Sequence, residues 1–299
     1  MPKDTKKTLG GAPLGRHFVN CRGRLVDLTQ PVVMGILNAT PDSFFAGSRV
    51  STKQSSIDRV VDRAQRMLNE GATFLDIGGY STRPGADAVT PSEEADRVLP
   101  IIEAILANFP DALLSIDTFR AAVARQAVAS GAVIINDVSG GTLDAAMFAT
   151  VGGLNQSDSV PYVLMHLRGT PQTMNSLAIY TDLVTEIIDE LAIQLTTLRA
   201  LGAKDVILDP GFGFAKTVEQ NFQLLDQLDV FRVVGEPLLV GLSRKTTIWK
   251  TLKISANEAL NGTTVLNTAA LLKGASILRV HDVREAVEAI KLTQQLTFF

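Results

Sequence analysis

Cysteine is almost absent from this chain. Cys21 is the only one in 299 residues, which excludes an internal disulfide and any metal cage built on thiolates and suits a reducing compartment. Histidine is scarce too. His17, His166 and His281 are the full set, and no metal-ligand cluster of Cys and His or Ser/His/Asp triad emerges from the sequence. An excess of positive charge is also missing: the formal net charge of −3 argues against general phosphate attraction, so no nucleic-acid partner is expected and any basic site must be local. No apolar run approaches the 18 residues of a membrane span, and the basic stretch Met1–Lys7 lacks a following apolar region of the signal-peptide kind. These absences predict a soluble cytoplasmic protein with no membrane partner.

Apolar residues make up 46% of the chain, enough for a large core. Residues 1–16 are polar and read as a tail, and 17–299 as a single domain. His17 to Asp27 alternates around Cys21-Arg22-Gly23, a β-hairpin pattern whose apolar Val19, Leu25 and Val26 suit a plug at the base of the larger downstream fold. From Pro31 onward, strand and helix patterns alternate. Thr90-Pro91-Ser92-Glu93 is a helix start with a capping box, and Pro100 is expected to kink that helix. A shorter helix is expected over about Leu143 to Val151, another from about Asn257 to Lys273, and Asp282 reads as the cap of the last one. Gly-Ala opens a strand at Gly71, Gly131, Gly202 and Gly274, each after a helix, as a C-terminal cap glycine does. A polar residue stands five positions after three of these glycines: Asp76, Asn136 and Arg279. Eight alternating units of roughly 30 to 35 residues predict a (β/α)8 TIM barrel, closed at the bottom by the hairpin. An open doubly wound sheet is the alternative, but no Gly-rich G-x-G-x-x-G turn follows the first strand.

In such barrels chemistry sits at the carboxyl ends of the strands. Those ends carry Asn38, Asp76, Asp117, Asn136, Met165-His166, Asp209, Ser243-Arg244-Lys245 and Arg279-Val280-His281. Asp209 closes the run Val206–Leu208 and precedes Pro210-Gly211-Phe212-Gly213-Phe214-Ala215-Lys216, where the proline ends the strand and the glycines allow close approach. Read alone, Asp209 is equally a helix cap, Asp76 a structural residue beside Gly78-Gly79, and His166 a packing residue with no evident partner. Together, Asp117, Asn136 and Asp209 form an acceptor-rich interior suited to a flat ligand with several N–H donors. Lys245, Arg279 and His281 form a cationic rim suited to phosphates. Thr40–Gly47 and Ser81–Gly85 are Gly/Pro-containing stretches suited to folding over the site.

The segments Met34-Gly35-Ile36-Leu37-Asn38-Ala39-Thr40-Pro41-Asp42-Ser43-Phe44 and Asp76-Ile77-Gly78-Gly79-Tyr80-Ser81-Thr82-Arg83-Pro84-Gly85 resemble the first two signatures of the dihydropteroate synthase family. Ser115–Thr118, Ile135–Asp137, Leu164–His166, Asp209–Lys216, Ser243–Lys245 and Arg279–His281 extend the resemblance from about Asn20 to Leu292. The resemblance implies transfer of a dihydropterin-methyl group from its diphosphate to p-aminobenzoate, by an SN1-like ionisation under two closing loops. It implies Asp117, Asn136, Asp209 and Lys245 at the pterin, with Met165 and Gly213 also in the substrate site. Arg279 would stack on the pterin and join His281 at the diphosphate, and Asn38 would contact Mg²⁺. Thr82, Pro84, Phe214 and Ser243 would frame the p-aminobenzoate pocket, with Arg83 among the catalytic residues, in a sulfonamide-target homodimer. The chain departs from the family pattern at Phe45-Ala46-Gly47, Tyr80, Ala215 and Thr246. Two other readings share the Asp/Asn floor: a pterin barrel that donates methyl groups to a corrinoid protein, which needs no Arg279–His281 pair, and a non-catalytic pterin binder.

Overall fold

A strand whose residues alternate direction can serve two environments at once, and the central strands here do so. The computed structural model describes residues 18–39, 53–80 and 89–296. The tail 1–16 and the stretches Thr40–Gly47 and Ser81–Gly85 lie outside them. The eight barrel strands are β3 (Val32–Asn38), β4 (Phe74–Gly78), β5 (Leu113–Asp117), β6 (Ile134–Asp137), β7 (Tyr162–Met165), β8 (Val206–Asp209), β9 (Leu239–Val240) and β10 (Ile277–Val280). They pair in parallel in chain order, with β10 returning to β3. A parallel bridge between Leu208 and Leu238 joins β8 to the approach of β9 and closes the ring. Helices alternate with the strands around the outside, as the predicted (β/α)8 barrel requires.

Val33, Leu37, Leu75, Ile77, Leu114, Ile116, Ile135 and Leu208 face outward and pack with helix residues such as Ala64, Val98, Ile102, Val123 and Leu191. Their neighbours in sequence face inward. At the bottom these are Met34, Phe74, Leu113, Ile134, Val163, Ile207, Leu239 and Ile277, which cluster with Val19, Cys21 and Leu28. The last group comes from the hairpin β1 (Phe18–Cys21) and β2 (Arg24–Asp27) and its exit. Arg22 and Gly23 both take positive φ, 54° and 88°, the two-residue turn that matches strand twist. The hairpin is tied to the bottom rim by Arg22 to Val128 O (2.9 Å) and Arg24 to Asp111 O (2.7 Å).

The helix Pro91–Asn108 begins with the expected Thr90/Glu93 capping box and runs on past Pro100, with Val98, Ile101, Ile102 and Ile105 buried on either side of the proline. Other local features differ from expectation. The helix expected from Leu143 spans Met147–Asp158, because Asp137 and Asp144 accept the backbone N–H groups of Ser139, Gly141 and Ala146 and hold that stretch as turns. The helices Val218–Asp226 and Thr246–Leu252 have no counterpart in the sequence reading. Asp282 gives both carboxylate oxygens to Arg244, at 2.8 Å each, so its side chain does not cap the last helix.

Candidate active site

The inward positions that bury apolar groups at the bottom bury polar ones two and four residues further up. On β4 and β5 they are Asp76, Ser115 and Asp117, and on β6, β8 and β10 they are Asn136, Asp209 and Arg279. The three glycine-plus-five residues of the internal repeat meet here. Gly71, Gly131 and Gly274 take positive φ values of 103°, 113° and 99°, so each unit leaves its helix through the same left-handed cap. Each strand then delivers its polar residue to one network: Asp76 Oδ2 accepts from Arg279 Nε (2.6 Å) and from Asn136 Nδ2 (2.9 Å). The other arm of Arg279 donates to Asp117 Oδ2 at 2.6 Å. Asp76 is therefore the centre of the floor and not a local support for Gly78-Gly79. Its place in the repeat is the signal that points to it. Among the described residues, Asp76 Oδ1 and Ser115 Oγ are buried with no hydrogen-bond partner. Buried polar atoms of that kind call for a ligand or solvent donor.

Asp209 stands across the barrel and accepts from Gly211 N at 2.8 Å; the following helix is capped instead by Thr217 with Gln220. Lys245 precedes the helix Thr246–Leu252 and reaches inward, its Nζ bonded to Phe212 O and 4.7 Å from the Phe214 ring centre. A Cβ at Gly213 would sit 3.1 Å from Lys245 Cδ, so the turn is moulded to that lysine. Met165 lies in an apolar group with Val138, Leu167, Met174 and Ala215, edged by Phe119 and Phe214. Ser243 Oγ and His281 Nδ1 are 2.9 Å apart, and Ser243 Oγ also accepts from His281 N at 3.1 Å. Asn38 ends β3 opposite Gly78. The described residues thus bring Asn38, Asp117, Asn136, Met165, Asp209, Gly213, Phe214, Ser243, Lys245, Arg279 and His281 to the carboxyl ends of the strands; Thr82, Arg83 and Pro84 fall outside them.

Charge in this space is strained by burial. Desolvation pushes Asp117 up to about 7 although Arg279 pulls it down, and it also raises Asp209 against the pull of Lys245. Lys245 is pushed down to about 8 by burial, with Asp209 opposing. Burial acts against the charge of Arg279 as well, but Asp76 and Asp117 outweigh it and hold the guanidinium charged. His281 is driven down to about 4 by burial and by Arg279. The expected cationic rim therefore takes another form: His281 is a neutral hydrogen-bonding group at pH 7, and Arg279 is paired.

Two further residues escape a reading of the sequence. His166 does have partners: Glu190 Oε2 at 3.1 Å on one ring nitrogen and Lys216 Nζ at 3.0 Å on the other. Tyr80, a departure from the family pattern, stacks edge-on to Phe119 with ring centres 5.3 Å apart, and Arg120 lies against both rings.

The sequence profile of pterin binding enzymes matches residues 34–281. A dihydropteroate synthase of Synechocystis sp. is 43% identical over 267 residues, covering 88% of this chain and 89% of the relative. Among solved structures, the Yersinia pestis dihydropteroate synthase with a sulfonamide drug superposes with a TM-score of 0.85 at 39% identity, covering 93% of this chain and 98% of that one. The Xanthomonas albilineans dihydropteroate synthase with 4-aminobenzoic acid gives 0.84 at 38%, covering 94% and 98%. A profile match over most of the barrel, on a chain whose buried carboxylates, amide and lysine converge at one mouth, places this protein in the pterin binding enzyme family.

Proposed function

We propose that the chain acts as a dihydropteroate synthase, joining (7,8-dihydropterin-6-yl)methyl diphosphate to p-aminobenzoate with release of diphosphate. The observation that carries this is the ring of inward groups on four strands, Asp76 on β4, Ser115 and Asp117 on β5, Asn136 on β6 and Asp209 on β8, with Lys245 and Arg279 among them. An aminopterin edge offers several N–H donors in one plane, and this ring offers acceptors that the protein itself leaves partly unused.

In this reading Asp117, Asn136, Asp209 and Lys245 hold the bicycle, and Arg279 and His281 lie toward the departing diphosphate. The C–O bond breaks with its electron pair leaving on diphosphate, and the electron-rich ring delocalises the positive charge of the methylene. The neutral arylamine then forms the C–N bond and loses a proton. The Arg279 guanidinium and the neutral His281 donor toward the leaving oxygens, together with a positioned amine, supply the catalysis, so no strong base is required. Phe214, Ser243, Thr82 and Pro84 frame the amine pocket, with Arg83 beside them and Met165 and Gly213 lining the substrate site. By the family resemblance, Thr40–Gly47 and Ser81–Gly85, which lie outside the described residues, would close above. Among the described residues no cluster of three acidic, His or Cys side chains could hold a metal. Asn38 would supply an amide oxygen to Mg²⁺, with diphosphate oxygens and water completing its shell. Bound there, the ion would offset charge on the leaving group. We also propose a cytoplasmic homodimer; among the described residues no helix is long and apolar enough to cross a membrane.

The test is to incubate the chain with the pterin diphosphate, p-aminobenzoate and Mg²⁺ and to measure diphosphate. Release that depends on p-aminobenzoate is expected; release without it, or none, overturns the assignment.

A further inference from the structure

Lys216 has a place in the molecule that the proposed reaction does not use. It is 8% exposed, and its Nζ touches three groups: Gly211 O at 3.1 Å, Phe214 O at 3.1 Å and His166 Nδ1 at 3.0 Å. An ammonium has three N–H donors and no acceptor, so three acceptors satisfy it in full. That assignment fixes the imidazole as well. Nδ1 must carry its lone pair, leaving the proton on Nε2, which faces Glu190 Oε2 at 3.1 Å. Glu190 is an anion, held near 2 by its hydrogen bond to His166 together with Arg168. The opposite arrangement, a neutral amine accepting from Nδ1–H, would turn the Nε2 lone pair toward that carboxylate. With His166 neutral, its two contacts agree only when Nε2 carries the proton, and a charged Lys216 then fills all three of its acceptors. Burial does press on both, taking Lys216 down to about 7 and His166 to about 4.

The two carbonyls bound by Lys216 bracket the turn that seats Lys245. Phe212 O accepts from Lys245, the Phe214 ring lies beneath its Nζ, and the missing side chain of Gly213 leaves room for its Cδ. Outside the turn, Tyr180 donates to Ala215 O at 3.0 Å and carries Arg168 on its ring at 4.0 Å. Ala215 adopts a φ of 48°, a left-handed conformation unfavourable for an L-residue, and it is held from both sides. We infer that Lys216 is a positioning residue: its ammonium, oriented by His166 in the Nε2–H tautomer, clamps the Gly211–Phe214 turn and thereby aims Lys245 into the site.

The kinetic part of this inference rests on the proposed function, and the tautomer part does not. Long-range ¹H–¹⁵N spectra of the full chain should show His166 neutral and protonated on Nε2 from pH 8 to pH 5.5. An Nδ1–H tautomer, or titration near 6.5, overturns the clamp. The second arm is a cycle of Lys216→Met, Lys245→Met and the double variant. Lys216→Met should lower kcat/KM at least tenfold in the native background but less than twofold once Lys245 is gone, because one acts through the other. Equal losses in both backgrounds overturn the positioning role and leave only a structural one. Should Lys216→Met not fold, Lys216→Gln, which retains two N–H donors for the carbonyls, enters the same cycle and the spectra of the native chain decide the clamp. Absence of diphosphate release from the native chain would discard the proposed function while the spectra still settle the tautomer.

Discussion

The bottom and the mouth of this barrel are built from the same strands, in some cases from residues two apart. Phe74 and Asp76 share β4, Ile134 and Asn136 share β6, and Ile277 and Arg279 share β10; the first of each pair joins the apolar plug and the second the polar floor. At the bottom, burial is favourable by itself, and the hairpin adds Val19 and Cys21 to complete it. At the mouth, burial opposes charge, and Asp117, Asp209 and Lys245 are all shifted toward neutrality. One end stabilises the fold, whereas the other spends some of that stability on groups ready to meet a ligand.

The comparison can be broken by substitutions at matched positions. The largest effect is expected at the base. Phe74 is fully buried, and Phe74→Ala should lower the unfolding free energy by about 3–5 kcal/mol, measured by urea denaturation, with pterin affinity of the folded fraction unchanged. A loss of affinity there would mean that the two ends are not separable. Asp209→Asn should do the reverse. It should weaken dihydropterin diphosphate binding by roughly 2 kcal/mol or more, as charge-assisted hydrogen bonds are lost, without lowering the melting temperature, because burial already disfavours that carboxylate. Calorimetric titration showing undiminished affinity would remove Asp209 from the site. The smallest effect sharpens the contrast. Thr90 caps its helix with Glu93 but is not among the inward-facing residues. Thr90→Ala should cost about 1 kcal/mol of stability and leave kcat/KM unchanged, showing that inward direction, not the cap at a helix start, makes a residue functional.

Much of this is legible in the sequence because it is periodic. The Gly-Ala openings set the phase of each unit, and counting five residues on from three of them leads to Asp76, Asn136 and Arg279. The hairpin can be read from alternation around Arg22-Gly23, and the strand ends from apolar runs stopping at polar residues. Partnerships between distant elements are not legible. His166 gives no hint of Lys216 or Glu190, since one comes from the next loop and the other from the outer helix Leu183–Ala200. Asp282 looks like a cap because its neighbours fit that local pattern, and spacing alone does not reveal that Arg244, 38 residues earlier, takes both its oxygens. Asp76 is easily undervalued because two adjacent glycines offer a nearer explanation for it.

Arg279 spans two carboxylates from different strands, one with each face of its fork. The mouth therefore holds Arg279 on two carboxylates while Asp76 Oδ1 and Ser115 Oγ stay open, so an arriving bicycle would meet free acceptors beside a paired guanidinium. On this view one side chain couples the seating of the ring to the reception of the anion, because the same fork faces both.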